Sequence, residues 1–400
     1  MLFLKKCWVI IHEDITQTIN QVANHSSQSL WLLILAYIAL LPKKENALRV
    51  SEFRPISLIH AFGKLFSKLL ANRLAPKLQQ LVSHNQSAFI KGRNIQDNFL
   101  FVNNLVKELH SSKTPAILLK LDIAKAFDSV SWPYLLDRLR TLGFGSRWLG
   151  WICSILGSSS KVLLNGRAGS SFMHGKGLRQ GDPLSPMLFI LAIDPLQNLL
   201  AAAQDEGLLQ PLHRRTARFN MALYADDAVI FTRPVKDEIQ VVQAILLHFG
   251  RATGMITNLT KSEVYAIRCK DLDLQDILSP FLAQLKEFPC SYLGLPLHIR
   301  KLRRLDVQPL IDRFAARLPT WKGKLLNKTG RAVLIKSTLS ALPTYHLTVF
   351  PLKKWAKKKM DKICRAFLWT CSEQANGGHC LVNWKRVCRS KDLIRGTRHY

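Results

Sequence analysis

The sequence predicts an α+β protein, with strands in the middle of the chain and helices towards both ends. ILLKLDIAKAF (117–127) and MALYADDAVIF (221–231) are rich in strand-forming residues. The segments before residue 115 and after residue 298 instead have apolar residues at helical spacing. With 400 residues, 48% of them hydrophobic, the chain can bury a sizeable core and is expected to divide into two or three subdomains.

The chain is strongly basic, and the charge is unevenly distributed. Lysine and arginine number 57 against 27 acidic residues, which gives a net charge of +30 and favours a polyanionic partner. Residues 298–400 alone contain 24 basic and 5 acidic residues, a net charge of +19. An excess this one-sided favours phosphate contact over an ordinary solvated surface.

Cysteine content and hydropathy limit the class of protein. Eight cysteines without a CxxC pair predict reduced intracellular thiols, and their spacing fits a structural zinc site poorly. The apolar run LWLLILAYIALL (30–41) is too short to span a bilayer and is predicted to be a buried strand or helix ending at Pro42. A basic membrane-surface protein is therefore a weakly supported alternative.

Helices alternate with loops in the first half of the chain. FGKLFSKLLANRLAPKLQQLV (62–82) has helical spacing until Pro76 interrupts it, and WPYLLDRLRTLGF (132–144) is amphipathic. GLRQGDPLSP (177–186) predicts a loop between strands and a helix, and PMLFILAIDPLQNLLAAA (186–203) predicts one long apolar helix.

The second half continues this alternation and ends in basic helices. DEIQVVQAILLHFGRATG (237–254) predicts a helix that stops at Gly254, and YLGLPL (292–297) predicts a short strand. Beyond them, LDVQPLIDRFAARL, TGRAVLIKSTLSAL and KKWAKKKMDKICRAFLW predict three helices.

Two adjacent carboxylates, Asp226 and Asp227, interrupt an apolar strand-forming run. Two carboxylates this close repel each other when both are ionised, unless a cation is bound between them. The hairpin therefore either exposes the pair to solvent at a turn or holds a metal. Asp122, at the end of another apolar strand, is by itself an ordinary helix N-cap. Together with the pair it would supply the carboxylates of two-metal phosphoryl transfer, in which Asp122 and Asp226 bridge two Mg²⁺ ions.

Five motifs in order carry a family resemblance: LKLDIAKAFDSVSW, GLRQGDPLSPMLF, YADD, TGMITNLTKSE and YLGLPL. This order resembles the reverse transcriptases of plant LINE-type retrotransposons, which lack long terminal repeats, and the similarity runs from about Leu41 to Trp384. The resemblance implies a right-hand polymerase with fingers at 41–115, a palm with an antiparallel sheet at 116–297 and a helical thumb at 298–370. Residues 1–40 are expected to be an N-terminal extension and 371–400 a truncated C-terminal connection, as in a rearranged or truncated element copy.

The resemblance also implies roles for the residues nearest the chemistry. Asp122, Asp226 and Asp227 match the family's carboxylate triad, which binds two Mg²⁺ ions, with Mn²⁺ as a substitute. Lys261 matches a position near the leaving pyrophosphate. Phe127 falls where an aromatic ring lies under the incoming sugar and excludes a 2′-hydroxyl, although a core phenylalanine would have nearly the same geometry.

Further binding residues follow from the same resemblance. Those expected to contact the nucleotide are Gln180, Gly181, Lys43 and Arg54. Those expected to contact the nucleic acid are Lys44 in the fingers, Tyr292, Leu293 and Gly294 in the primer grip, and Lys322, Lys324, Arg331 and Lys336 in the thumb.

The resemblance therefore implies an RNA-directed DNA polymerase of a retrotransposon, which extends a DNA primer on an RNA template with deoxynucleoside triphosphates. The alternative is a catalytically inert or maturase-like RNA-binding remnant of a truncated element. No membrane partner is expected, the oligomeric state stays open, and an intracellular, nuclear location is expected.

Overall fold

The computed structural model describes residues 5–24, 35–212, 221–281, 283–317, 325–371 and 380–389. It divides into two compact units, Met1–Phe288 and Pro289–Tyr400. The boundary predicted from sequence follows Leu297, whereas these units separate before the 292–297 segment. Lys322 and Lys324 lie outside the described residues.

The described strands are β1 (Ala36–Pro42), β2 (Phe53–Ile59), β3 (Ala116–Leu121), β4 (Ser159–Leu164), β5 (Arg167–Met173), β6 (Met221–Tyr224), β7 (Asp227–Thr232), β8 (Glu263–Ile267), β9 (Gln284–Lys286), β10 (Cys290–Tyr292) and β11 (Leu295–Leu297). The helices of the first unit are α1 (Trp8–Asn24), α2 (Ala61–Leu81), α3 (Ile95–Ser111), α4 (Ala126–Ser129), α5 (Trp132–Thr141), α6 (Ser146–Leu156), α7 (Ser185–Ile193), α8 (Pro195–Asp205), α9 (Lys236–Thr253) and α10 (Leu274–Ile277). Those of the second unit are α11 (Arg304–Ala316), α12 (Lys328–Leu334), α13 (Thr344–Leu347), α14 (Lys354–Trp369) and α15 (Trp384–Val387).

A five-stranded sheet in the order β6-β7-β3-β8-β9 forms the centre of the first unit. Its neighbours are antiparallel except for the edge pair β8 and β9, which is parallel. The central strand β3 is buried from Ala116 to Leu119, because both of its faces are covered. The predicted antiparallel sheet is therefore confirmed, with one parallel strand added at its edge.

A second sheet of the first unit has the order β2-β1-β4-β5. Strand β1 pairs antiparallel with β2 and parallel with β4. The apolar run before Pro42 is thus a strand in its described part, with Ala36 and Ile38 buried and Leu41 exposed. Of the two alternatives predicted for this run, strand or helix, the structure shows the strand, so the part of the chain before residue 115 contains strands as well as helices. A short apolar run does not distinguish the two by its period.

Helix α2 continues through Pro76, contrary to the predicted interruption. A proline inside a helix costs about 3 kcal/mol, because it removes one backbone hydrogen bond and crowds the preceding turn. The opposing contribution is the burial of one continuous apolar face, at about 1.5–3 kcal/mol for each large side chain. The fully buried members of this face are Phe66, Leu70, Leu74 and Leu78.

The predicted long apolar helix is two consecutive helices, α7 and α8, joined at Asp194. Pro195 has no N–H to continue the hydrogen-bond ladder, and the buried Asp194 carboxylate accepts hydrogen bonds from the backbone N and Oγ of Ser83 at 2.9 and 2.6 Å. By length and composition alone, the stretch Ser185–Asp205 could cross a membrane, but 61% of its most apolar window is buried inside the protein. Burial of this kind is typical of a core helix.

Other predicted helix boundaries are confirmed. Helix α9 ends at Thr253, and Gly254 follows it with φ of 81°, the left-handed conformation that glycine adopts readily at a helix end. The amphipathic segment 132–144 contains α5, which is followed by Gly143 with φ of 85°.

The second unit consists of a small hairpin and the predicted basic helices. The predicted single strand 292–297 is instead a hairpin of β10 and β11, because Leu293 and Gly294 both have positive φ and form a two-residue turn. Helices α11 and α14 confirm two of the three predicted helices, and the third, predicted at 329–342, is α12 followed by a π-helical segment, Ile335–Leu339. The core of this helical part is Val307, Ile311, Phe314, Leu339, Ala356, Met360, Cys364, Phe367 and Cys371.

Candidate active site

The carboxylates Asp122, Asp226 and Asp227 lie at one end of the five-stranded sheet. Strand β3 pairs with β7 through Leu121 and Ala228, so continuing this register places Asp122 across from Asp227. Strand β6 pairs with β7 through Tyr224 and Asp227, which leaves Ala225 and Asp226 as a two-residue turn. Residues that are more than 100 positions apart in the sequence therefore meet at one edge.

The neighbouring carboxylates also affect the pKa of Asp227. Partial burial raises the pKa of Asp227, the nearby Asp226 and Asp122 carboxylates raise it further, and the Lys120 ammonium acts in the opposite direction. Carboxylate oxygens are the ligands that Mg²⁺ prefers, and a shared cation would relieve this repulsion. Within the described residues, no three or more His, Cys, Asp or Glu side chains are grouped closely enough to hold a metal ion as they stand, so the fit of Asp122, Asp226 and Asp227 to Mg²⁺ rests on their carboxylate chemistry and shared sheet end.

A charged network on β3 and β8 lies next to the carboxylates. Lys120 donates a hydrogen bond to Glu263 at 3.0 Å, and Lys286 and the Tyr265 hydroxyl bind the same carboxylate. Burial alone would raise the pKa of Glu263, but the hydrogen bonds from Lys286, Lys120 and Tyr265 outweigh it and lower the pKa to about 2. The network thereby fixes a positive group two residues before Asp122.

Replacing Glu263 with glutamine should make the protein less stable near neutral pH by about 1 kcal/mol, because two ammonium groups lose their counterion while screening limits the effect. The folded pKa lies below the usual value of 4.5, so the stabilisation by ionised Glu263 is present above that value and is lost as the pH falls towards about 2. Thermal unfolding followed by circular dichroism across this range measures the effect. As the pH falls, wild type should lose stability more steeply than Glu263→Gln. The control Glu287→Gln, at an exposed position, should behave as wild type. Equal pH profiles for Glu263→Gln and wild type would contradict the assigned role of Glu263.

The segment 256–262 is hydrogen-bonded to the backbone of Asp122. The N–H of Asn258 donates to the Asp122 carbonyl at 2.7 Å, and the buried Ser262 hydroxyl accepts from the Asp122 N–H at 3.1 Å. Lys261 is exposed on this segment. The structure therefore brings the predicted lysine segment to the predicted metal ligand.

Phe127 lies on the short helix α4, five positions after Asp122. Its half-buried ring stacks on Phe189, with ring centroids 4.3 Å apart and an angle of 13° between the planes. The Phe127 carbonyl accepts from the Leu178 N–H at 2.7 Å, which joins α4 to the GLRQGDPLSP segment. One face of the ring is thus packed on Phe189, and the backbone of Phe127 is held by Leu178.

The GLRQGDPLSP segment contacts both α4 and β2. The Gln180 side chain donates to Asp128 at 3.0 Å, and the Gln180 carbonyl accepts from the Ser57 N–H at 2.7 Å. Gly181 has φ of 107°, and a Cβ there would come 3.0 Å from the Ser57 carbonyl oxygen, so this close approach requires glycine. Asp128, adjacent to Phe127, is a contact that sequence reasoning missed.

The basic residues of the fingers segment are partly engaged within their own loop. Lys44 forms an ion pair with Glu52 at 2.7 Å, and Lys43 donates to the Ser51 carbonyl at 3.0 Å. Arg54 is exposed on β2. Of these three side chains, Arg54 extends from a strand, and both lysines lie in the loop between β1 and β2.

The site residues predicted for the second unit have different environments. The Tyr292 side chain is 2% exposed and belongs to the core, while Leu293 accepts a hydrogen bond from the Tyr345 hydroxyl at 2.7 Å. Gly294 occupies the exposed turn. Arg331 donates to backbone carbonyls of Leu326 and Leu368, so its guanidinium joins helix ends, whereas Lys336 is exposed.

Residues 41–297 match the model of the family described as reverse transcriptase (RNA-dependent DNA polymerase). The chain belongs to this family. The match covers the fingers and palm range expected from the motifs, and it confirms the prediction of an α+β right-hand polymerase. It includes Asp122, Asp226 and Asp227 at the end of the five-stranded sheet.

Relatives of this reverse transcriptase include proteins of mobile elements. The transposon TX1 149 kDa protein of Xenopus laevis is 26% identical over 379 residues, which cover 91% of this chain and 28% of that protein. The Pol polyprotein of the type-2 retrotransposable element R2DM of Drosophila melanogaster is 28% identical over 58% of this chain and 21% of its own length. The chain thus spans about a quarter of these relatives. Telomerase from Candida tropicalis, as a solved structure, aligns with 93% of this chain and 63% of its own at 12% identity, with a TM-score of 0.46.

Proposed function

We propose that this reverse transcriptase is an active RNA-directed DNA polymerase of a retrotransposon. The observation that carries the proposal is the meeting of Asp122, Asp226 and Asp227 at one sheet end, where each carboxylate affects the same site electrostatically. The reaction is the attack of a primer 3′-hydroxyl on the α-phosphate of a deoxynucleoside triphosphate, with release of pyrophosphate. A binding protein without catalysis has no use for this carboxylate set.

The three carboxylates are the proposed ligands of two Mg²⁺ ions, which, when bound, would activate the 3′-hydroxyl and stabilise the leaving pyrophosphate. Asp122 and Asp226 would be the principal ligands, and Asp227 would support them from the start of β7. Lys261, exposed on the segment bound to Asp122, is proposed to offset charge on the pyrophosphate. Mn²⁺ is expected to replace Mg²⁺.

The incoming nucleotide is proposed to bind beside α4 and the GLRQGDPLSP segment, which hydrogen bonds hold together. Phe127 would support the sugar, and Gln180 and Gly181 would contact the nucleotide and template. Lys43 and Arg54 would contact the triphosphate from the fingers, and Lys44 the template. The hydrogen bonds of Gln180 with Asp128 and Ser57, which hold this segment against α4 and β2, support the proposal.

Replacing Phe127 with alanine should let ribonucleotides compete with deoxynucleotides. Removing a ring that excludes one hydroxyl should lower the ratio of kcat/KM values for the two sugars by roughly 10- to 100-fold. Single-nucleotide incorporation of dNTP and rNTP, with circular dichroism to check the fold, measures this ratio. An unchanged ratio in a folded variant would assign Phe127 to the core alone.

Primer extension by the full chain tests the proposed function directly. The substrates are a labelled DNA primer on an RNA template, deoxynucleoside triphosphates, and Mg²⁺ or Mn²⁺ across a concentration series. Extension along the RNA is expected. Binding of the RNA–DNA duplex by folded protein without extension at any ion concentration would contradict the proposal and favour an inert RNA-binding remnant.

A further inference from the structure

The turn that carries Asp226 is held by a glutamine from a distant segment. The Gln86 side chain has no exposed surface, its Oε1 accepts the Ala225 N–H at 3.0 Å, and its Nε2 donates to the Ala225 carbonyl at 3.4 Å. One amide group therefore binds both backbone polar groups of the residue that precedes Asp226. The interacting residues are separated by 139 positions in the sequence.

Ala225 needs such support because its backbone is in an unfavourable conformation. Its φ is 54°, a left-handed value that is uncommon for a residue with a Cβ and is usually found where surrounding contacts enforce it. The carbonyl that Gln86 binds belongs to the peptide group joining Ala225 to Asp226. Because a peptide group is planar, fixing this carbonyl also fixes the direction in which the Asp226 backbone begins.

The Gln86 amide is itself fixed in one orientation. Its Oε1 also accepts the Ala88 N–H at 2.9 Å, so the N–H groups of Ala225 and Ala88 both point at this oxygen. If the amide were flipped, its NH₂ group would face these two N–H donors and could not accept from them. The backbone around it runs beside β6, where Ser87 donates to the Leu223 carbonyl and Leu223 donates to the Asn85 carbonyl, both at 3.0 Å. The glutamine is thus a rigid partner of the turn.

We propose that Gln86 is a positioning residue that sets the metal-binding geometry of Asp226 through Ala225. The inference rests on the proposed function of the carboxylates as metal ligands. Gln86 contacts neither Asp226 nor Asp227 in any described hydrogen bond, and its effect would pass through the Ala225 peptide groups. Partners that orient a metal ligand typically change metal affinity or activity by about 10- to 100-fold when they are removed.

Gln86→Met tests the proposal, because methionine is close in shape and removes both hydrogen bonds to Ala225, together with the one from the Ala88 N–H. We expect Mn²⁺ affinity, measured from the electron paramagnetic resonance signal of free Mn²⁺ in a titration of the protein, to fall about 10- to 100-fold. The Mg²⁺ concentration for half-maximal primer extension should rise by a similar factor. Thermal unfolding by circular dichroism shows whether the variant is folded.

Asn98→Leu is the matched control. Asn98 is another buried amide that binds the same strand, because its Nδ2 donates to the Leu223 carbonyl at 2.8 Å, two positions before Ala225. This variant should lose thermal stability but keep Mn²⁺ affinity within about twofold of wild type. If Asn98→Leu and Gln86→Met lose Mn²⁺ affinity equally, or if neither loses it, the proposal is overturned.

Gln86→Glu keeps the test decisive if Gln86→Met does not fold. Glutamate retains an acceptor for the Ala225 and Ala88 N–H groups and removes the donor to the Ala225 carbonyl. A loss of Mn²⁺ affinity of at least about fivefold is expected, and wild-type affinity in the folded variant would overturn the proposal. Failure of the proposed function can be told apart from failure of this inference. If the protein is not a polymerase, wild type binds Mn²⁺ but does not extend a primer. The effect of Gln86 on Mn²⁺ affinity is still measured in that case.

Discussion

Replacing Asp226 with asparagine should abolish primer extension while RNA binding stays within a few-fold of wild type. The change removes one negative charge from the turn between β6 and β7 and leaves the side-chain shape nearly unchanged. Loss of a metal ligand removes several kcal/mol of charge stabilisation in the transition state. At 1.36 kcal/mol for each tenfold change in rate, extension should fall by at least about 1,000-fold.

The measurement is single-turnover extension on an RNA template beside a binding titration of the same duplex. Asp226 is exposed, so the substitution should alter the free energy of unfolding by less than about 0.5 kcal/mol. The exposed Asp271→Asn is the matched control, with the same chemical change far from the carboxylate site in sequence. Extension by folded Asp226→Asn at the wild-type rate would refute the metal assignment.

Neutralising the lysine face of α14 should weaken duplex binding and reduce its dependence on salt. Lys354, Lys357, Lys358 and Lys362 are exposed, whereas the buried residues of this helix are Ala356, Met360, Cys364, Ala366, Phe367 and Leu368. Their combined replacement with glutamine keeps helix propensity nearly constant while removing four charges. Each lost contact to a B-form phosphate should flatten the slope of log K against log salt by about 0.9.

If all four lysines contact phosphates, the ratio of wild-type affinity to variant affinity for the duplex should be about 100-fold smaller at 200 mM salt than at 50 mM salt. A labelled duplex titrated across a salt series measures both slopes. The control replaces Lys5, Lys6, Lys113 and Lys270, which are exposed residues of the first unit, and carries the same change in net charge. Equal flattening by the two variants would mean that total charge, and not the α14 surface, determines binding.

Local patterns predicted much of the fold and the carboxylate site. The strand that ends at Asp122, the hairpin around Asp226 and the helix that stops before Gly254 all depend on residues adjacent in sequence. Local sequence patterns did not predict the features of the fold that depend on contacts between residues distant in sequence. Helix α2 passes through Pro76 because its apolar face is buried, and the parallel pairing of β1 with β4 has no signature within either strand.

The same distinction explains the site residues that sequence reasoning missed. Lys120 interrupts an apolar strand, and its alternation with Asp122 could have indicated that both lie on one face. The contact of Asp128 with Gln180 joins two motifs that were already recognised, but nothing in either motif specifies the partner. Gln86 lies in NQSAFIKGR with no local pattern, and its role becomes visible only beside Ala225.

The 139-residue separation between Gln86 and Ala225 also has a consequence for how the protein folds. A contact this distant can form only after the intervening chain has been brought together, at an entropic cost that grows with loop length. Contacts of high sequence separation slow folding, and a chain of this size is expected to pass through intermediates. A refolding chain should therefore regain helical content first and Mn²⁺ affinity later, with a lag between the two signals after dilution from denaturant.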